Sequence, residues 1–158
     1  MPYLIDEEVK ITDSNAIMIY LCNAYCPELL GTSLEQKSEI DMIYGQLKEV
    51  RQALTGPCYV GADRQVLKRN AKAKISNILK HLGSREYVAG NSLTYLDFYT
   101  LELYEFIQFL TQDEFYDENP LVKNYVKRIM NLRQIRGYAS SSRYISRPFN
   151  NKIAKINN

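Results

Sequence analysis

Apolar residues recur at helical spacing along most of this 158-residue chain. In three segments they are separated by three or four residues, which places them on one face of an α-helix. These residues are Ile40, Ile43, Leu47, Val50 and Leu54 in the first segment, Leu67, Ala71, Ile75, Ile78 and Leu82 in the second, and Leu96, Tyr99, Leu103, Phe106 and Leu110 in the third. The pattern predicts a bundle of long helices. We expect the first helix to end near Gly56-Pro57 and the second at Gly83.

The segment from Val88 to Phe98 contains a complete helix-start signal. Thr94 can cap the free N–H groups of the helix, Asp97 can reach back to the N-cap amide, and Leu93 can pack against Phe98. A carboxylate among apolar neighbours is costly to bury unless it accepts hydrogen bonds from the helix N-terminus. We therefore interpret Asp97 as a folding residue and not as a catalytic acid.

Beyond the third helix the sequence predicts two more helices and a tail. Asn119-Pro120 provides an N-cap followed by proline at the first helical position. The inner face of this fourth helix is predicted to carry Val122, Val126 and Ile129. A short fifth helix is predicted over residues 132–138. Residues 140–158 are basic, rich in asparagine and without a clear period, which is typical of a tail.

The N-terminal residues differ from the rest of the chain. Residues 2–6 and 9–11 have the composition of two short strands joined by an acidic turn. Because a two-stranded hairpin is only marginally stable, we expect it to be the edge of a larger sheet whose other strands are not in this chain. Residues 12–15 offer several N-caps for a helix that begins at Ala16 and continues until Pro27.

Charge and composition exclude several classes of partner. The net charge is +2, with 46% hydrophobic and 24% charged residues, so we expect neither a nucleic-acid nor a membrane partner. The second helix carries several basic residues, but they alternate with the apolar stripe and no aromatic residues interleave for base stacking, so we interpret them as a solvated face. Because no secretory signal or membrane-spanning run is present, we expect a cytoplasmic protein.

The three cysteines predict neither a disulfide framework nor a metal site. Three is an odd number for a disulfide framework. Cys22 and Cys26 stand one helical turn apart, and His81 could join them as a third ligand. A zinc site generally has four ligands at closer, paired spacing. We expect Cys22, Cys26 and Cys58 to be small apolar residues of the core and expect no metal.

The order of four motifs resembles the glutathione transferase family, most closely its mu class. They are Pro2-Tyr3-Leu4-Ile5-Asp6, Ile11-Thr12-Asp13-Ser14-Asn15-Ala16-Ile17, the box from Ala89 to Phe98, and Ser141-Ser142-Arg143-Tyr144-Ile145-Ser146-Arg147-Pro148. The resemblance implies a mainly α fold, in which the helical bundle of the transferase C-terminal domain follows a β-hairpin and a helix left from a thioredoxin-like domain. It places the partial thioredoxin-like domain at residues 1–26, a linker at 27–32, and the all-helical domain with its tail at 33–158.

The resemblance also implies a reaction and its partners. In the family, the glutathione thiolate attacks an electrophilic small molecule, a reaction of detoxification, and the enzyme is a homodimer. Glutathione is a co-substrate, and no other cofactor is implied. A free thiol has a pKa of about 8.5, so a tyrosine hydroxyl near the N-terminus of the mu class stabilises the thiolate. By this resemblance the present chain begins after that tyrosine, and we expect it to contain no thiol-activating residue.

A second interpretation is a truncated, non-catalytic binding or interaction module of the same family. Met1 favours it, because a chain that starts there carries an ammonium group where the family has an internal amide.

Five residues correspond to the family's glutathione site. Met1 stands where the backbone pairs with the cysteine of glutathione, and Pro2 stands at the family's cis-proline. Ser14 matches the hydroxyl that binds the γ-glutamyl carboxylate, and a helix N-terminus is itself an anion site. Asp13 replaces the usual glutamine and is expected to attract the ligand ammonium but repel its carboxylate. Glu49 matches the acidic residue that reaches the glutathione amine across the dimer.

Three further residues correspond to the electrophile pocket. Tyr59 matches a tyrosine that assists some electrophilic substrates in the mu class, although it could equally pack beside Cys58. Asn150 and Asn151 fall where the family's tail closes over the pocket. Because this tail is more polar, the family's substrate range is not carried over.

Overall fold

A β-hairpin and one helix precede a bundle of longer helices. The computed structural model describes residues 2–157. Strands β1 (Tyr3–Asp6) and β2 (Val9–Thr12) pair antiparallel, with Tyr3 opposite Thr12 and Asp6 opposite Val9. Helix α1 (Ser14–Tyr25) packs on them, and its Tyr20 hydroxyl donates a hydrogen bond of 2.8 Å to Asp6 Oδ2. This confirms the predicted hairpin.

The remaining elements are helical. They are a 3₁₀ turn (Pro27–Leu30), α2 (Leu34–Val60), α3 (Arg64–Leu82), α4 (Tyr95–Leu110), α5 (Phe115–Glu118), α6 (Pro120–Met130), α7 (Arg133–Ala139) and a second 3₁₀ turn (Lys155–Asn157). No helix among residues 2–157 is long and apolar enough to cross a membrane.

The predicted apolar stripes form the core. Every stripe residue of α2, α3 and α4 is buried except Tyr99, which is half-buried, and the three predicted inner residues of α6 are buried as well. Tyr104 and Tyr125, which belong to no predicted stripe, are buried at the centre with Phe115. The ring centroids of Tyr125 and Phe115 each lie 5.8 Å from that of Tyr104. The helical periods therefore identified most of the core.

The prediction that the first long helix ends near Gly56-Pro57 was wrong. Helix α2 continues to Val60 and ends at Gly61, which adopts a left-handed conformation with φ of +78°. Pro57 lacks the N–H of one helical hydrogen bond, but continuing the helix places Cys58 on the buried face, where it is 0% exposed. The gain from burial explains why the proline is tolerated.

Helix α1 begins earlier than predicted. It starts at Ser14 and not at Ala16, because Asp13 is its N-cap: Asp13 Oδ1 accepts hydrogen bonds from the amides of Asn15 (2.9 Å) and Ala16 (3.2 Å). The helix ends at Tyr25, two residues before Pro27.

Helix α5 was not predicted, because four residues are too few to show a period. Helix α7 was predicted within one residue at each end. The tail lies along the bundle and buries Phe149, Ala154 and Ile156.

Candidate functional site

A cleft lies between the start of α1 and the middle of α2 and α4. Its volume is about 430 Å³. We call it the Ser14 cleft, and it is lined by Ser14, Asn15, Met18, Arg51, Tyr95, Phe98, Tyr99 and Glu102. Ser14 is exposed at the first position of α1, and Asn15 follows it.

The polar groups at the start of α1 are unevenly satisfied. Asp13 already accepts from the amides of Asn15 and Ala16, so the predicted role of Asp13 toward a ligand competes with its role as a cap. The Asn15 Oδ1 atom is buried and has no hydrogen-bond partner in the part of the chain that the structure describes. Buried polar atoms are rarely left unpaired, so Asn15 Oδ1 is an exception at the start of α1.

An ion pair between α2 and α4 forms the far wall of the cleft. Arg51 Nη1 donates a hydrogen bond of 2.9 Å to Glu102 Oε2, and Arg51 Nη2 lies 2.9 Å from Glu102 Oε1, so the ion pair is bidentate. The same guanidinium lies 4.4 Å from the centroid of the Phe106 ring. Because the two charged residues are 51 positions apart, each resembles an ordinary surface charge in the sequence, and only the packing of α2 against α4 brings them together.

The three residues predicted for the electrophile pocket lie close together, beside Arg51. The Tyr59 hydroxyl accepts a hydrogen bond of 3.1 Å from the Asn151 amide. Asn150 Oδ1 accepts one of 3.5 Å from Arg51 Nη2. The tail is thereby attached to α2, and Arg51 connects it to the Ser14 cleft. None of these contacts tests the predicted binding of an electrophile.

The other predicted glutathione-binding residues lie away from the cleft. Glu49 is exposed on α2 and lines a separate depression of about 220 Å³ together with Lys74 of α3. Its predicted role is across a dimer, which one chain does not test. Pro2 is exposed. Met1 lies outside the described residues, so the predicted cis bond between Met1 and Pro2 stays a prediction.

Asp97 has the folding role predicted for it. It is 0% exposed and accepts four hydrogen bonds: from the Val88 amide (2.9 Å), the Thr94 amide (2.7 Å), the Thr94 hydroxyl (3.1 Å) and the Tyr125 hydroxyl (2.6 Å). Burial raises the pKa of Asp97, while these hydrogen bonds act to lower it. The carboxylate completes the capping box of α4 and lines none of the cavities described here.

The cysteines are free thiols of the core and its edge. Cys22 and Cys58 are buried, as predicted, whereas Cys26 is half-buried. Burial and the neighbouring Cys26 raise the pKa of Cys22 to about 11. His81 is engaged elsewhere, with Nε2 lying 3.4 Å from Glu39 Oε1 and 3.2 Å from the Val88 carbonyl oxygen. Over residues 2–157, no three potential metal ligands cluster together.

Similarity to known proteins identifies the family. Residues 58–142 match the family model of the glutathione S-transferase C-terminal domain. The chain is 32% identical to glutathione S-transferase Mu 7 of Mus musculus over 158 residues, which cover 98% of this chain and 71% of the relative. The chain belongs to the glutathione S-transferase family. Glutathione S-transferase Mu 1 of Bos taurus is also 32% identical to this chain, over 98% of this chain and 71% of the relative.

Solved structures of the family share the fold of this chain. The crystal structure of the glutathione S-transferase Blo t 8 superimposes with a TM-score of 0.78 at 24% identity, over all of this chain and 76% of the other. A Pi-class glutathione S-transferase of Onchocerca volvulus superimposes with a TM-score of 0.77 at 21% identity, over 88% of this chain and 69% of the other. The predicted resemblance and the predicted helical bundle after a hairpin and helix are thus confirmed.

Proposed function

We propose that this glutathione S-transferase family member binds glutathione in the Ser14 cleft and acts in the conjugation of glutathione to electrophilic small molecules. The observation that carries the proposal is the start of α1, where the exposed Ser14 lines the cleft at the helix N-terminus. The hydroxyl of Ser14 can donate to the γ-glutamyl carboxylate. The relatives that are named glutathione S-transferases support the same function.

Binding and turnover are separate parts of the proposal. Glutathione reacts as the thiolate, and at neutral pH only a few per cent of a thiol with a pKa of about 8.5 is ionised. We assign the thiol-activating hydroxyl to no residue of this chain. In particular, burial raises the pKa of Tyr95 in the cleft to about 12, which makes it a weak acid.

Isothermal titration calorimetry with glutathione tests the binding site. We expect Ser14→Ala to raise the dissociation constant about tenfold, because a hydrogen bond to a charged group is lost. Ser38→Ala is the matched control, since the Ser38 hydroxyl bonds to the Leu34 carbonyl on α2, away from the cleft. An unchanged dissociation constant for Ser14→Ala would remove Ser14 from the site.

A non-catalytic binding module is the second candidate function. It is favoured because the thiol-activating hydroxyl is assigned to no residue of this chain, and burial raises the pKa of Tyr95 in the cleft to about 12. A conjugation assay with a chromogenic aryl halide separates the two. Glutathione binding that depends on Ser14, with no conjugation above the uncatalysed rate, supports the module; conjugation above that rate supports the enzyme.

We further propose that the protein is a cytoplasmic homodimer in which Glu49 reaches the ligand bound by the partner protomer. The exposed position of Glu49 on α2 supports this arrangement, as does its distance from the Ser14 cleft of its own chain. Residues 1–26 then complete the glutathione side of the site and residues 33–158 provide the rest. Sedimentation velocity tests the dimer, and Glu49→Gln is expected to weaken glutathione binding without changing the sedimentation coefficient.

A further inference from the structure

Two arginines from distant parts of the chain lie against one aromatic ring at the C-terminal end of α4. The guanidinium of Arg64, the first residue of α3, is 4.8 Å from the centroid of the Phe109 ring. That of Arg147, in the tail, is 4.7 Å from the same centroid and 4.3 Å from the centroid of Phe149. We call these four residues the arginine cluster. In the described chain they line neither of the two large cavities that α1 borders.

Neither guanidinium of the cluster is neutralised by a carboxylate. Among residues 2–157, no Asp or Glu lies within ion-pair distance of Arg64 or Arg147. Arg64 Nη1 donates a hydrogen bond of 3.2 Å to the Phe109 carbonyl oxygen, and Arg147 Nη1 donates one of 3.1 Å to the Ser146 carbonyl oxygen. Because a guanidinium has five N–H donors, both arginines keep donors for a ligand.

The stacking on Phe109 holds these donors in place. It uses the flat face of each guanidinium and leaves the N–H groups, which lie in the plane, free to bond. Because both charges are within 4.8 Å of one ring centroid, they repel each other over a distance that salt screens only partly. An anion that binds both guanidiniums removes this repulsion, and the fixed rings reduce the entropy that such binding costs.

Two acidic side chains near the cluster already have hydrogen-bond partners. Asp63, which precedes Arg64, is the N-cap of α3, and its Oδ1 accepts from two amides of the first turn at 2.8 and 3.3 Å. Glu105 lines the same depression as Arg147, and its carboxylate accepts from the Tyr144 hydroxyl at 3.3 and 3.4 Å. Two guanidiniums and the Glu105 carboxylate leave a net positive charge, so the attraction for an anion increases with the charge of that anion.

The tail adds to this positive potential. Residues 119–158 contain nine lysines and arginines and no aspartate or glutamate, although the net charge of the whole chain is only +2. One of these lysines, Lys155, packs over Gly61, three residues before Arg64. A concentration of charge of one sign raises the local concentration of ions of the opposite sign. The cluster therefore lies in a part of the surface that attracts anions.

We propose that the arginine cluster binds the dianionic phosphoryl group of a small molecule, with the N–H groups of Arg64 and Arg147 as donors. A phosphoryl group carries close to two negative charges at neutral pH and offers three acceptor oxygens, which suits two guanidiniums. A carboxylate has one charge and two oxygens, and a single guanidinium satisfies it. The cluster contains no residue of the Ser14 cleft, so this site does not depend on glutathione binding.

The test compares phenyl phosphate with phenyl sulfate, which has nearly the same shape but carries one negative charge instead of two. Each is titrated by isothermal titration calorimetry into the complete 158-residue chain at about pH 8, above the second phosphate pKa of about 6. We expect phenyl phosphate to bind at least about fivefold more tightly, because it can engage both guanidiniums. Inorganic phosphate identifies the source: an affinity equal to that of phenyl phosphate indicates free phosphate, and a lower affinity indicates a phosphate ester.

Three variants and one control assign the site. Arg64→Gln and Arg147→Gln are each expected to abolish the preference for the phosphate ester over the sulfate ester. Arg147→Lys keeps the charge but cannot bond in a bidentate manner, so we expect it to retain only part of the preference. Arg69→Gln removes an exposed arginine from the same helix as Arg64 and is expected to leave the preference unchanged. Thermal unfolding verifies that each variant is folded, and Arg64→Gln provides the test if the Arg147 variants are not.

Three results overturn the proposal. Equal affinity of the wild-type chain for the two esters shows that the cluster does not distinguish a dianion from a monoanion. A preference that persists in both Arg64→Gln and Arg147→Gln places the anion elsewhere. The absence of phenyl phosphate binding indicates that the two guanidiniums only hold the tail against α4.

Discussion

The Tyr125 hydroxyl donates a hydrogen bond of 2.6 Å to Asp97 Oδ1, so a residue of α6 holds the first turn of α4. The same carboxylate accepts from the amides of Val88 and Thr94, neither of which has a partner within a helix. Two helices and the loop before α4 therefore share one buried carboxylate. Because α4 carries Glu102, its position affects the Ser14 cleft.

Removing the Tyr125 hydroxyl tests how much this contact stabilises the fold. We expect Tyr125→Phe to lower the free energy of unfolding by about 1.5–3 kcal/mol, since a hydrogen bond to a buried charged group is lost. Tyr104→Phe is the matched control: its ring lies 5.8 Å from that of Tyr125, and its buried hydroxyl has no partner in the described chain. Urea unfolding measures both, and equal losses would contradict the proposed role of the bond.

The stability contribution of Asp97 is expected to depend on pH. Burial raises the pKa of Asp97 in the folded chain above its ordinary value of 3.8. A carboxyl group whose folded pKa is raised contributes stability below the unfolded pKa and loses it as the pH rises through the folded pKa. The free energy of unfolding of the wild type, relative to Asp97→Asn, should therefore decrease as the pH rises from about 3 and level off above the folded pKa.

Urea unfolding of both chains between pH 3 and pH 7 measures this difference. A difference that instead increases with pH would mean that the four hydrogen bonds to the carboxylate outweigh its burial, and that its folded pKa is lowered.

The thiols should differ in reactivity according to their burial. Cys22 and Cys58 are 2% and 0% exposed, burial raises the pKa of both, and only thiolates react readily. We expect iodoacetamide to label one thiol of the native chain, Cys26, and all three in urea, as counted by intact mass. Cys26→Ser should abolish native labelling. Rapid native labelling of Cys22 would show that α1 separates from the bundle.

Local patterns in the sequence predicted the helices and the hairpin well. A stripe such as Ile40 to Leu54 needs only neighbours along one helix to be recognised, and the capping box at Thr94 and Asp97 spans four residues. The end of α2 was mispredicted because the burial of Cys58, a tertiary effect, outweighs the tendency of Pro57 to end a helix.

The candidate site could be predicted only in part. Ser14 and Tyr59 were identified through their correspondence to a family, whereas Arg51 and Glu102 have no local signal. The contact between Tyr59 and Asn151 joins residues 92 positions apart, and that between Arg51 and Asn150 joins residues 99 apart. Such contacts depend on how the tail lies on the bundle, which periodicity within single helices does not specify.

Arg51 should determine whether the tail stays attached to α2. Its guanidinium contacts Glu102, the ring of Phe106 and Asn150. Arg51→Ala removes all three contacts, so we expect faster proteolysis of residues 143–152 in limited trypsin digestion, where Arg143 and Lys152 are the cleavage sites. Arg147 is not a site, because Pro148 follows it. Arg51→Lys should restore protection only in part, because an ammonium group cannot form the bidentate pair.

Glu102→Gln separates the ion pair from the tail contact. This variant loses the salt bridge, but Arg51 can keep its position over Phe106 and its hydrogen bond to Asn150. Because the Glu102 side chain is 50% exposed, the lost pair should lower the free energy of unfolding by about 1 kcal/mol or less. Tail cleavage should therefore stay near the wild-type rate. If Glu102→Gln and Arg51→Ala are cleaved equally fast, the ion pair itself positions the guanidinium, and the stacking on Phe106 is insufficient to hold the tail.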